Sequence, residues 1–239
     1  MMRTRLTALL TAALLPALAL SLEGCAHSQS FVLSGGVRCV VVRSAGGHVT
    51  IKSDDNGHLH VRSRHRSGGR TQPEVGVDLR GGILLVENHC DNPGKPSCAV
   101  DFDITLPPGV AQIDVSVEQG DVELEGLGGQ LAVNVQTGRI GGRRLEAAVA
   151  SMSTRRGDIE LELVRDAVLV QADTERGDID LVVPTQNYKV DAIADAGQVD
   201  VVRIYHAPNA RRRIIARTDS GDVGVRGRAN ATASAPRRR

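Results

Sequence analysis

The chain of 239 residues is poor in aromatic side chains: two Phe, two Tyr and no Trp. Phe31, Phe102, Tyr188 and Tyr205 are too few and too scattered to build the platforms on which bases or sugar rings stack. Charge of one sign is missing too. Lysine and arginine together number 29, against 28 aspartates and glutamates. Beyond an apolar leader the two signs balance at 27 each, and without the five arginines after position 225 the remainder stands at −5. That excludes the basic footprint of a nucleic-acid-binding protein. No apolar run reaches the ~20 residues of a comfortable membrane-spanning helix. No helical periodicity survives after residue 30. Neither Gly-x-Ser-x-Gly, nor a Gly-Lys-Ser/Thr phosphate loop, nor a dinucleotide fingerprint is present. These absences point away from an enzyme and leave no cofactor or small-molecule substrate in view.

What is present begins with a leader. Arg3 and Arg5 precede Leu6 to Leu20, an apolar stretch rich in Leu and Ala, and then comes Leu22-Glu23-Gly24-Cys25. The layout is that of a secretory signal. Its Leu-x-Gly-Cys ending looks like a bacterial lipobox. That resemblance implies cleavage before Cys25, a lipid on Cys25 and attachment to a membrane; a plain secretory signal cut near the same place is the alternative. Ala26 is not the Asp that resembles an inner-membrane retention signal, which favours the outer membrane where there is one. Export suits the remaining cysteines. Cys90 and Cys98 flank the turn-rich Asp91-Asn92-Pro93-Gly94-Lys95-Pro96-Ser97 and are expected to form a disulfide. Pairing of Cys39 with either is the rival. Alternation puts Cys39 opposite Val40 and Val42, hence partly exposed.

The strongest signal is a cassette that recurs: Gly120-Asp121-Val122-Glu123-Leu124, Gly138-Arg139-Ile140, Gly157-Asp158-Ile159-Glu160-Leu161, Gly177-Asp178-Ile179-Asp180-Leu181, Gly197-Gln198-Val199-Asp200-Val201 and Gly221-Asp222-Val223-Gly224-Val225. The glycines lie 18, 19, 20, 20 and 24 residues apart. Upstream of each, small or apolar residues alternate. Examples are Ile113, Val115, Val117; Ala148, Ala150, Met152, Thr154; Val168, Val170, Ala172, Thr174; and Ile214, Ala216, Thr218. Period-two alternation on both sides of a tight turn means two short strands per cassette. Gly47, in Ala45-Gly46-Gly47-His48-Val49, fits a degraded version of the same frame. The segment from Ile104-Thr105-Leu106-Pro107 to Leu124 also aligns without gaps on Leu181-Val182-Val183-Pro184 to Val201. A period near 20 without helix predicts an all-β fold, a β-solenoid resembling a parallel β-helix, preceded by a less regular β region. Each cassette is expected to stack on the one before it.

The boundaries expected are a signal over 1–24, a linker over 25–36, the repeat domain over 37–225 and a disordered basic tail over 226–239. Within the repeat domain, the Gly-Asp pairs at Asp121, Asp158, Asp178 and Asp222 invite a calcium site. The repeat is too long for a calcium roll, however, and Arg139 and Gln198 break the series, so turn capping is the reading taken. His58 and His60 lie two residues apart with His65 nearby, a spacing open to zinc or copper. No third ligand is evident and arginines surround them, so no metal is assigned. Thr-x-x-Gly-Asp recurs at Thr154, Thr174 and Thr218, and a motif that repeats is structural rather than catalytic.

The lipobox-like start, Leu106-Pro107-Pro108-Gly109 and the repeated Ser/Thr-x-x-Gly-Asp-Ile/Val-x-Leu units resemble the bacterial putative-adhesin family of β-strand-repeat proteins, in a lipoprotein form. The resemblance covers about residues 37–225. It implies an extracytoplasmic, non-catalytic β-solenoid-like domain of unknown function. It brings no catalytic residues to carry over. The expected role is that of a lipid-anchored cell-envelope module for structure, adhesion or interaction, with an unidentified protein or envelope partner. The alternative is an extracytoplasmic sensor or a carbohydrate-processing β-helix enzyme, which would gather carboxylates or basic residues in one cleft.

Overall fold

The computed structural model describes residues 28–65, 73–89 and 99–228. Among these the chain is all β, with 19 strands and no helix, joined in one continuous sheet that doubles over on itself. In chain order the strands are β1 (Ser28–Leu33), β2 (Cys39–Ser44), β3 (Val49–Ser53), β4 (Leu59–His65), β5 (Glu74–Arg80), β6 (Ile83–His89), β7 (Val100–Leu106), β8 (Gln112–Gln119), β9 (Val122–Glu125) and β10 (Gly128–Thr137). They continue with β11 (Ile140–Arg156), β12 (Ile159–Leu163), β13 (Leu169–Arg176), β14 (Ile179–Pro184), β15 (Asn187–Ala196), β16 (Val199–Val202), β17 (Tyr205–His206), β18 (Arg213–Ser220) and β19 (Val223–Arg228). Alternation dictates their burial. In β7, Val100, Phe102, Ile104 and Leu106 are buried while Asp101, Asp103 and Thr105 face outward.

Two ladders run side by side. The first has the order β5, β6, β2, β8, β10, β11, β13, β18, β15. The second has the order β1, β4, β7, β3, β9, β11, β12, β14, β19, β16. Strand β11 serves both: its start pairs with β9 and β12, its end with β10 and β13. It turns the corner at Arg144, which takes φ 50°. All these pairings are parallel except β5–β6, β4–β7 and β1–β4. Each parallel layer holds one strand from each ladder, and their inward Val, Ile, Leu and Ala side chains merge into one core.

The layers do not follow chain order. The layer β18/β19 lies between β13/β14 and β15/β16. The layer β2/β3 lies between β6/β7 and β8/β9. The first parallel layer in chain order, β2/β3, and the last, β18/β19, are thus each tucked one layer inside the stack, where the sequence reading had each cassette stack on its predecessor. Two boundaries also differ. Residues 28–33, expected in a linker, form β1, because Phe31 and Leu33 pack against the core. Arg226 and Arg228, expected in the tail, belong to β19, where each meets a carboxylate of a nearby strand: Asp180 at 3.1 Å and Glu162 at 3.2 Å.

Candidate functional site

The cassette glycines form a column along one edge of the stack. Gly120, Gly138, Gly157, Gly177 and Gly221 have φ between 142° and 147°, and Gly47 has φ 111°. A Cβ on Gly177 would lie 2.1 Å from the carbonyl oxygen of Gly157, and one on Gly221 would lie 2.1 Å from that of Gly177. Gly197 stands last in the column, against Gly221, and its φ is not in the left-handed range. Glycine is required because adjacent turns touch backbone to backbone, in addition to the positive φ.

The residue after each glycine ties one turn to the next. Asp121 Oδ1 accepts from Arg139 N–H at 2.8 Å, Asp158 Oδ1 from Asp178 N–H at 2.9 Å, Asp178 Oδ1 from Asp222 N–H at 2.8 Å and Asp222 Oδ1 from Gln198 N–H at 2.8 Å. The aspartates satisfy turn amides that the ladders leave over. Inside the turn, the buried hydroxyls of Thr154, Thr174 and Thr218 donate to the carbonyls of Gly138, Gly157 and Gly177 at 3.0–3.1 Å. The repeated polar chemistry is thereby bound up in the frame.

Other residues singled out in the sequence do not converge. Cys25, Cys90 and Cys98 lie outside the described residues. Cys39 is half-buried on β2. His60 faces outward and His65 is buried on the opposite face of β4, so the histidines are not brought together.

Two of the depressions among the described residues lie on the outer faces of the two ladders, and the sequence reading identified neither. On the second ladder, Gly141 and Gly142 leave a shallow groove of about 300 Å³ beside Glu123, Arg139, Glu160, Glu162 and Asp180. The glycine pair is its sequence signal: Glu123 lies across Gly141, in the space a side chain would fill. Every carboxylate in it has an arginine partner. Arg139 reaches Glu123 at 2.9 Å and Glu160 at 3.6 Å, Arg226 takes Asp180 and Arg228 takes Glu162. Glu123 first, then Glu160, hold the Arg139 guanidinium above its ordinary pKa. On the first ladder, Ser116, Ala132, Asn134, Ser151 and Ser153 form an open trough beside Val41, Arg43 and Asp114. Tyr188 is fully buried, and its hydroxyl has no hydrogen-bond partner among the described residues. Burial first, then nearby Asp166, push its pKa up to about 12, with Arg212 opposing.

No family model matches the chain, and no curated protein matches it by sequence. Solved structures with a similar course exist. A putative cell adhesion protein from Clostridium sporogenes ATCC 15579 aligns over 85% of this chain and 100% of its own, at 10% identity and TM-score 0.48. A putative adhesin from Bacteroides fragilis NCTC 9343 aligns over 86% and 98%, at 15% identity and TM-score 0.46. A putative lipid binding protein from Parabacteroides distasonis ATCC 8503 aligns over 87% and 98%, at 8% identity and TM-score 0.35.

Proposed function

We propose that the doubled sheet is a β-solenoid with a repeat of about 20 residues, and that it works outside the cytoplasm as a non-catalytic structural or adhesion module held to a membrane by lipid on Cys25. One observation carries the reading. The residues that recur, and would have to act if the repeat were a site, are engaged in joining one turn to the next: Asp through Oδ1, Thr through its hydroxyl, Gly through close backbone contact. Function then falls to the outer faces, where side chains vary from layer to layer, as in other stacked-repeat proteins.

The rival reading, a carbohydrate-processing enzyme, would place its acids in the Glu160–Asp180 groove. All four carboxylates there are engaged by arginines, which supports the non-catalytic reading. Fractionation and radiolabelled palmitate test the anchor: Cys25→Ser should lose the label and leave the membrane fraction, and persistent labelling would end that part of the proposal. Capture from intact envelopes tests the module. Wild type should retain a partner that a Ser116→Arg/Ser151→Arg variant or a Glu160→Arg variant loses. Release of new reducing ends from envelope polysaccharide, abolished by Glu160→Gln, would favour the enzyme instead.

A further inference from the structure

The two ends of the stack are not alike. At one end the antiparallel strands β1, β4 and β5 cover the β6/β7 layer. At the other, the β15/β16 layer lies open. Val199 and Val201 are 44% and 42% exposed, whereas Val223 and Val225, their partners in the layer beneath, are 1% and 0%. Ile193 and Val202 are exposed as well. The backbone is equally unfinished. Lys189 N–H donates to Arg212 O, so the alternate residues Ala192 and Ala194 turn their amides away from β18 toward solvent. By the same count Val199 and Val201 turn away from β19. Strand β17 covers this edge only beside Asn187 and Tyr188, and the His206 ring stands at Val190 N–H. An apolar strand edge left bare is a template for another strand.

The charges of the open layer say which strand. Asp191 is taken by Arg217 and Arg213 of its own chain. Lys189, Asp195, Asp200 and Arg203 have no ion pair among the described residues. Their placement is polar. Asp195 and Asp200 flank the Gly197 turn, whereas Lys189 lies toward the far end of β15 and Arg203 just past the far end of β16. A two-fold axis across the end of the stack reverses both strands. It sets β15 antiparallel to its own copy and β16 antiparallel to its own copy, with the cationic end of each over the anionic end of the other. Apolar residues in the middle then cover one another and extend the core through the axis. A copy simply translated along the stack would meet the antiparallel cap instead, so a chain of copies does not form.

We propose that a second copy of this chain docks on the β15/β16 edge, making a closed, two-fold, end-to-end dimer. Sedimentation velocity of the full-length protein over a wide concentration range tests it. Wild type should show a monomer–dimer equilibrium. Lys189→Asp alone and Asp195→Lys alone should each weaken dimerisation by about tenfold, because the axis doubles each lost contact. The double variant Lys189→Asp/Asp195→Lys should restore it, since the exchanged charges meet again across the axis. Unchanged thermal melts of these exposed-site variants verify folding. A wild type that stays monomeric, as it would if residues 229–239 or another protein covered the edge, overturns the proposal. So does a dimer indifferent to the single variants, or one that the double variant fails to restore.

Discussion

A Cβ added to Gly177 would meet the Gly157 carbonyl at 2.1 Å, and that carbonyl belongs to a backbone held on both sides. Gly109 also has positive φ, 86°, but nothing lies within 4 Å of a Cβ built there. Strain alone predicts similar costs for both; the contact separates them. Gly109→Ala should cost about 1 kcal/mol, and Gly177→Ala about 2–3 kcal/mol, read from urea midpoints. Tyr188 supplies a second test at this scale. Its buried phenol has a folded pKa of about 12, raised above the unfolded value of roughly 10. The folded state therefore holds its proton longer. Stability from this group is full below pH 10 and falls as pH climbs through 12, by about 2–3 kcal/mol in all. In a Tyr205→Phe variant, which leaves Tyr188 as the remaining tyrosine, ultraviolet titration should show a single phenol ionising near pH 12. A midpoint near 10 in a protein that is still folded would contradict the buried placement.

At the scale of elements, Thr174 lies in a column that runs Val135, Thr154, Thr174, Thr218 across four layers. Valine fits there, as Val135 shows, so Thr174→Val removes one buried hydrogen bond to Gly157 O without opening a cavity. It should cost about 0.5–1.5 kcal/mol; Thr174→Ala should cost more. The strands themselves were legible, because one-sided burial imposes a period of two that any reader of the sequence sees. The phase at strand starts was not. Alternation puts Ala148 and Val168 inside, yet both face outward while Ala147 and Ala167 are buried. The pairing register skips Ala148, an extra residue within β11 that shifts its pattern by one, and Val168 N–H donates to Ala148 O just ahead of β13. A small residue at a bulge carries no hydrophobic signal to betray it.

For the whole molecule, the recurring strand pairs were legible and the order in which they stack was not. Every cassette carries the same inward pattern, so any layer fits on any other, and chain order was the default. The corrections were nonetheless written in side chains. Gln198 replaces Asp in the layer that has no further turn amide to satisfy, and Ala194 replaces Thr in that same layer. The longest glycine spacing, 24 residues, marks the excursion through Tyr205 that lets the chain return and fill the gap. The outer-face groove escaped notice because it depends on Gly141 and Gly142 lying between acids brought from strands far apart in sequence. We propose that the Gly-Asp column is a frame and not a binding site. Thermal melting of wild type, Gly177→Ala and Asp178→Asn, each with calcium and with chelator, tests it most directly. The account predicts identical melts with and without calcium, a large loss for Gly177→Ala, and a loss within about 0.5 kcal/mol for Asp178→Asn, whose amide oxygen still accepts from Asp222 N–H. A calcium-dependent rise of several degrees in wild type, abolished in Asp178→Asn, would contradict it.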